Sequence, residues 1–86
     1  MLITRQSIAQ KLAAYLRHEI PLAALVDWAE RAMLEAEFDE SESTALRDVI
    51  ARLGVADVRA FGLTWEECDA MLRNLGFTAH VEVVAA

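Results

Sequence analysis

The densest group of titratable side chains is the stretch EAEFDESES, residues 35–43, which holds five carboxylates and no basic residue. An EF-hand calcium loop needs alternating oxygen ligands, a central glycine and a glutamate at its twelfth position. Asp39, Ser41 and Ser43 alternate, but the glycine is missing and the twelfth position counted from Asp39 is Ile50. The pattern therefore favours either a solvated, self-capping turn or a negative patch that docks a basic protein surface.

The two histidines and the single cysteine are the other candidates for catalysis or metal binding. A zinc site uses three or four clustered ligands, and His18, Cys68 and His80 show no such spacing. Cys68 lies on the apolar face of a predicted helix, where a free cysteine behaves as a small hydrophobic residue. Nucleophile elbows and glycine-rich phosphate loops are absent from the sequence. We therefore expect no enzyme activity, no metal, no other cofactor and no small-molecule substrate.

The net charge is −6, from 14 acidic and 8 basic residues. Nucleic-acid backbones and anionic membranes attract positive surfaces, so binding to either is disfavoured. The segments TRQSIAQKL and LTWEECDAMLRNLG have the rhythm of helix-turn-helix proteins, but the second would present Glu66, Glu67 and Asp69 to DNA. A helix-turn-helix nucleic-acid binder is therefore kept only as a disfavoured alternative.

The 86 residues correspond to one domain, residues 1–86, and an apolar fraction of 56% argues against disorder. No run approaches the roughly 20 apolar residues of a membrane span, and the first residues lack the apolar region of a signal peptide. We expect a cytoplasmic protein, and the compact chain suits a bacterial source.

Helical periodicity predicts a mainly α fold, a bundle of four helices at about residues 5–18, 21–37, 42–53 and 65–75. Thr4 is a predicted N-cap, with Ile3 and Ile8 as a hydrophobic staple. Pro21 is placed at the first position of the second helix, and Gly54 at the C′ position of the third.

The acidic stretch itself supplies a predicted capping box, Asp39 to Glu42, before the third helix. The fourth helix has the clearest start, a capping box formed by Thr64 and Glu67, and Gly76 ends it. The inner face of this fourth helix is predicted to begin with Trp65.

The second helix carries a wide apolar stripe that includes Met33. Trp28 flanks this stripe, whereas Leu34 falls within the opposite, polar face, about 120° from Leu22. A leucine at that place is not expected in a plain monomer.

The C-terminal segment TAHVEVV alternates and is β-branched, which predicts a short strand at about residues 78–84. Ala79, Val81 and Val83 share one side of it. A single strand leaves backbone groups unpaired, so we expect it to pair with residues 1–4, with a second copy, or with another protein. Pairing of two copies through Ala79, Val81 and Val83 would give a structural homodimer, which is the alternative function.

The segments IAQKLAAYLRHEIPLAALVDWAERAM and FGLTWEECDAMLRNLGF resemble small, acidic bacterial proteins of helical fold for which no activity is established. In such chains a polar cap precedes the second helix, whereas Ile20 and Pro21 stand there in this sequence. The size and charge also resemble those of immunity proteins and antitoxins, whose work is to cover a toxin. The resemblance assigns no residue a role.

We expect the function to be association with another protein that has a basic surface, such as a toxin or nuclease. Charge would steer the encounter, and Trp28 and Leu34 would serve as apolar anchors. The predicted protein-binding residues are Trp28, Glu30, Leu34, Glu35, Glu37, Asp39, Glu40 and Glu42.

Overall fold

The structure, a computed structural model, describes residues 2–58 and 62–85. It contains helices α1 (Arg5–Leu16), α2 (Leu22–Glu35), α3 (Ser43–Gly54) and α4 (Trp65–Asn74). Two short strands, β1 (Leu2–Ile3) and β2 (Glu37–Phe38), and two 3₁₀ turns, Glu40–Glu42 and Ala56–Val58, complete the described elements. The prediction of a mainly α fold with four helices is confirmed.

Helix α1 begins at a reciprocal cap. The Thr4 hydroxyl accepts from the Ser7 backbone N–H at 3.1 Å, and the Ser7 hydroxyl accepts from the Thr4 N–H at 2.9 Å. Ile3 and Ile8, the predicted staple, are both fully buried beside this cap. Two orphan donors are thus satisfied, and the chain enters the helix at a fixed angle.

Helix α1 ends at Leu16, two residues before the predicted end. His18 has a φ of 62°, in the left-handed region. Its N–H donates to the Tyr15 carbonyl at 3.1 Å, and the Glu19 N–H donates to the Ala14 carbonyl at 2.8 Å. These two bonds form a Schellman motif with histidine at the C′ position, where glycine is usual.

Helix α2 packs mainly on α3, and α1 contacts both α2 and α4. Pro21 is the N-cap of α2 rather than its first helical residue, because its ψ of 165° is extended. Gly54 is the last residue of α3 and does not adopt a left-handed conformation. The largest fully buried side chains are Ile3, Ile8, Leu12, Leu25, Leu46, Ile50, Leu53 and Cys68.

Helix α4 has its predicted N-cap, Thr64, and its predicted terminating residue, Gly76, but the predicted capping box is not closed. The Thr64 hydroxyl accepts from the Glu67 N–H at 3.1 Å, but the Glu67 carboxylate pairs with Arg52 of α3 instead of closing the capping box. At the other end Gly76 has a φ of 88°, and the Phe77 N–H donates to the Leu72 carbonyl at 2.8 Å. This is a Schellman motif with glycine at C′.

The N-terminal residues pair with the segment after α2, not with the C-terminal tail. Strand β1 runs parallel to β2, with Leu2 opposite Glu37 and Ile3 opposite Phe38. Helix α2 therefore ends before Glu37, which had been predicted as helical. This pairing gives the buried Ile3 a backbone partner close to the start of α3.

Residues 78–84, predicted as a strand, have no regular secondary structure and no partner among the described residues. Of the three partners expected for this segment, residues 1–4 are not its partner in the structure, because β1 pairs with β2 and the two-stranded sheet does not include the tail. A strand exists only as part of a ladder, and the tail has none within the described chain.

Candidate protein-binding surface

Leu34 is the most exposed large apolar side chain of α2, with 86% of its surface open to solvent. At 100° per residue it lies near the centre of the solvent-facing side of the helix, close to the direction of Asp27. Glu30 and Glu35, on either flank of this side, are also exposed. The structure therefore confirms the unusual position that periodicity predicted for Leu34.

The chain that follows α2 carries further exposed carboxylates. Glu37 in β2 and Glu40 and Glu42 in the 3₁₀ turn are exposed. Asp39 is half-buried and forms the cap of the turn, since its carboxylate accepts from the Ser41 hydroxyl at 2.8 Å and from the Ser41 N–H at 3.1 Å. These bonds hold the pKa of the Asp39 carboxyl below its usual range.

The predicted capping box from Asp39 to Glu42 is not formed. Asp39 caps the 3₁₀ turn through Ser41, while Glu42 occupies the N-cap position of α3 and makes no side-chain cap bond. Its carboxylate is therefore left facing solvent. We call the set of Glu30, Leu34, Glu35, Glu37, Asp39, Glu40 and Glu42 the acidic surface.

The carboxylates of the acidic surface have no ion-pair partner within residues 2–58 and 62–85. Two nearby bases have other contacts. Arg31 pairs with Asp27 at 3.9 Å, and the Arg47 guanidinium lies 4.6 Å from the centre of the Phe38 ring. Within the described residues, the negative charge of the acidic surface is therefore little neutralised by ion pairs.

Trp28 is not brought together with Leu34. It is half-buried against the core, and the Lys11 amine lies 5.7 Å from the centre of its ring. Trp28 and Leu34 are six residues apart, so their directions around the helix axis differ by about 120°. Trp28 therefore lies on a different flank of α2 from Leu34. The structure places Trp28 at the contact between α1 and α2.

Met33 is an apolar residue that the sequence reasoning assigned to the core, but it is 56% exposed. Its sulfur lies 3.9 Å from the position that a Gly54 Cβ would occupy, at the end of α3. Met33 therefore lies beside the last residue of α3, at the edge of the contact between the two helices. Its place at the edge of the apolar stripe was the only sequence signal of this exposure.

A shallow depression of about 350 Å³ lies between the acidic turn and the end of α4. Glu40 and Glu42 stand on one side of it, and Asn74 and Leu75 on the other. The depression combines carboxylates with the edge of an apolar side chain. This combination suits a lysine or arginine, whose stem is apolar and whose tip is charged.

The remaining candidates for chemistry lie apart from one another. Burial, then the nearby Glu67 carboxylate, raises the pKa of the Cys68 thiol to about 11, so it stays protonated at neutral pH. His18 and His80 are exposed. The described part of the chain holds no group of three or more His, Cys, Asp or Glu side chains that could share a metal ion.

In residues 2–58 and 62–85, no helix combines the length and apolar character that a membrane crossing requires. Trp65, predicted to face inward on α4, is 38% exposed beside a second groove.

Comparison of the chain with protein-family models, with curated proteins and with solved structures finds no match.

Proposed function

We propose that this protein binds another protein through the acidic surface, with Leu34 as the apolar anchor. The observation that carries the proposal is the exposure of Leu34, 86%, at the centre of a helix face flanked by carboxylates. Burying a leucine side chain contributes roughly 1.5–3 kcal/mol of favourable free energy. Leu34 is exposed in the free protein, so this contribution arises only when a partner covers its side chain.

The charge of the acidic surface supports a basic partner. Carboxylates without ion pairs raise the association rate of a positive surface, and salt weakens this effect. The depression between Glu40 and Asn74 offers a place for one basic side chain of that partner. The mechanism is electrostatic steering followed by insertion of Leu34 into an apolar pocket.

The work of such a module would be to cover its partner. One version of the partner is a basic toxin or nuclease, which agrees with the resemblance to immunity proteins and antitoxins. Trp28 is not included among the anchors, because Lys11 lies over its ring and it occupies another flank of α2.

The test is an affinity pull-down from lysate of the native host at low and high salt, with quantitative mass spectrometry of the eluate. Three variants accompany the wild type: Leu34→Ser, E35Q/E40Q, and the control E19Q/E66Q, which changes the net charge equally at exposed positions elsewhere. We expect one basic protein that the wild type and the control retain at low salt. Leu34→Ser should weaken its binding by about 10- to 100-fold.

Retention of that partner by Leu34→Ser and E35Q/E40Q at wild-type levels would overturn the proposal. So would an eluate that contains only the bait at both salt concentrations.

A further inference from the structure

The tail, residues 77–85, is fixed to the domain at its beginning. The Phe77 N–H is held by the Schellman motif, and the Arg5 guanidinium lies 5.7 Å from the centre of the Phe77 ring. Ala79 packs against the core. The direction in which the tail leaves the domain is therefore set by contacts with α1 and α4.

Beyond Ala79 the tail is open to solvent. Val81 and Val83 are 69% and 91% exposed, and Val84 is exposed as well. Within the described residues, the backbone groups of residues 78–85 make no hydrogen bond. A β-branched segment with free N–H and C=O groups is a template for pairing with another strand.

A groove of about 490 Å³ lies between the tail, α1 and α4. The apolar residues that line it from the helices are Ala9, Ala13, Leu16, Trp65 and Leu72. A two-stranded ribbon alone is only marginally stable, but it becomes stable when one face packs on a helix. The groove provides such a packing surface next to the tail.

We infer that two copies of this chain associate by antiparallel pairing of their tails about a two-fold axis at Val81. In this register two paired residues lie equally far from position 81, on opposite sides of it, so Ala79 faces Val83 of the second copy. His80 then faces Glu82 of the second copy, and this pair occurs twice. Ala79, Val81 and Val83 lie on one face of the ribbon, which packs on the grooves of the two copies, whereas Val84 lies on the other face.

The polar side chains of the tail, His80 and Glu82, favour this register. A two-fold axis at Glu82 would place two glutamates directly opposite each other, and an axis at His80 would place Glu82 opposite Thr78 instead of His80. In-register parallel pairing sets Glu82 beside Glu82. Like charges directly opposite each other destabilise a ladder, whereas a carboxylate opposite an imidazole can accept a hydrogen bond from its N–H group, so the axis at Val81 is favoured. This inference does not depend on the acidic surface.

The first test is disulfide formation in single-cysteine variants. Cys68 is fully buried, so an introduced cysteine is the only accessible thiol. Val81→Cys should form a disulfide-linked dimer under mild oxidation, because the two Cβ atoms face each other across the axis. Val83→Cys is the matched control, since each copy of it faces Ala79 and should cross-link far less.

The second test exchanges the charges. His80→Glu should weaken the dimer about tenfold in sedimentation equilibrium, because it places two carboxylates opposite each other. H80E/E82K should restore the dimer, since the carboxylate introduced at position 80 would then face the amine introduced at position 82 of the second copy.

Two kinds of result would contradict this inference. A wild-type protein that stays monomeric at about 100-fold the concentration used for the pull-down overturns self-association altogether. A dimer in which Val81→Cys and Val83→Cys cross-link equally, or which H80E/E82K does not restore, overturns the register.

Discussion

His18 occupies a left-handed position that glycine fills better, so His18→Gly is expected to stabilise the protein. A residue with a Cβ carries roughly 1–2 kcal/mol of strain there, whereas glycine loses roughly 0.5–1 kcal/mol more conformational entropy on folding. The His18 side chain is exposed and makes no hydrogen bond within the described residues, so its removal loses little. The net gain is about 0.5–1 kcal/mol.

The measurement is the urea midpoint of unfolding, followed by far-ultraviolet circular dichroism, together with the thermal midpoint. For a domain of this size, a change of about 1 kcal/mol corresponds to about 4–8 °C. Gly76→Ala provides the converse, because Gly76 occupies the equivalent place after α4 with a φ of 88°. It should destabilise the protein by about 1 kcal/mol, by the same strain.

His18→Ala is the matched control. It removes the imidazole but keeps the Cβ, so its stability should stay within about 0.5 kcal/mol of the wild type. The reasoning is refuted if His18→Gly unfolds at the same urea concentration as the wild type or a lower one. It is equally refuted if His18→Ala gains as much as His18→Gly.

Three further predictions concern the core, an ion pair and the buried thiol. Leu12→Ala should destabilise the protein by about 2–5 kcal/mol in urea denaturation, because Leu12 is fully buried; no loss would contradict its place in the core. Arg52 and Glu67 join α3 to α4, and a double-mutant cycle with alanine should give a coupling of about 1 kcal/mol; zero coupling would argue against the pair. The folded-state pKa of the Cys68 thiol, about 11, lies above its unfolded value of 9.0. The contribution of the protonated thiol to stability is therefore complete below pH 9.0 and is lost as the pH rises through about 11. Cys68→Ala should remove this part of the alkaline loss, measured as urea midpoints across that range, and an unchanged profile would contradict the assignment.

The helix ends that the sequence predicted correctly depend on residues close in the chain. Thr4, Thr64 and Gly76 each form hydrogen bonds to backbone groups within five residues. Their geometry needs no tertiary information. The end of α1 was missed because the left-handed residue there is His18, whereas glycine is the residue that usually marks this position.

The pairing of β1 with β2 depends on contacts between distant parts of the chain. Two residues per strand give almost no periodic signal, and the partner of Ile3 is decided by how α2 and α3 pack. The prediction of a strand in the tail failed for a different reason. Its alternation is strong, but the described chain offers no neighbouring strand with which it pairs. Sequence alternation reports suitability for pairing and does not report a partner.

For the candidate surface, the sequence predicted the direction of Leu34 but not the surroundings of Trp28 and Met33. The outward direction of Leu34 follows from helical periodicity alone. The contact of Trp28 with Lys11 and the exposure of Met33 at the end of α3 depend on where the neighbouring helices lie. Periodicity gives the face of a helix, and packing decides how much of that face is covered.

The most direct test of the acidic surface is photo-cross-linking from position 34. Leu34→Cys labelled with a benzophenone maleimide is added to lysate of the native host and irradiated, and Glu66→Cys, labelled in the same way, is the control. Because Cys68 is buried, the label attaches only at the chosen position. We predict one cross-linked product from position 34 that high salt and excess unlabelled wild type suppress, but excess Leu34→Ser does not. Equal products from both positions, or no product from position 34, would contradict the account.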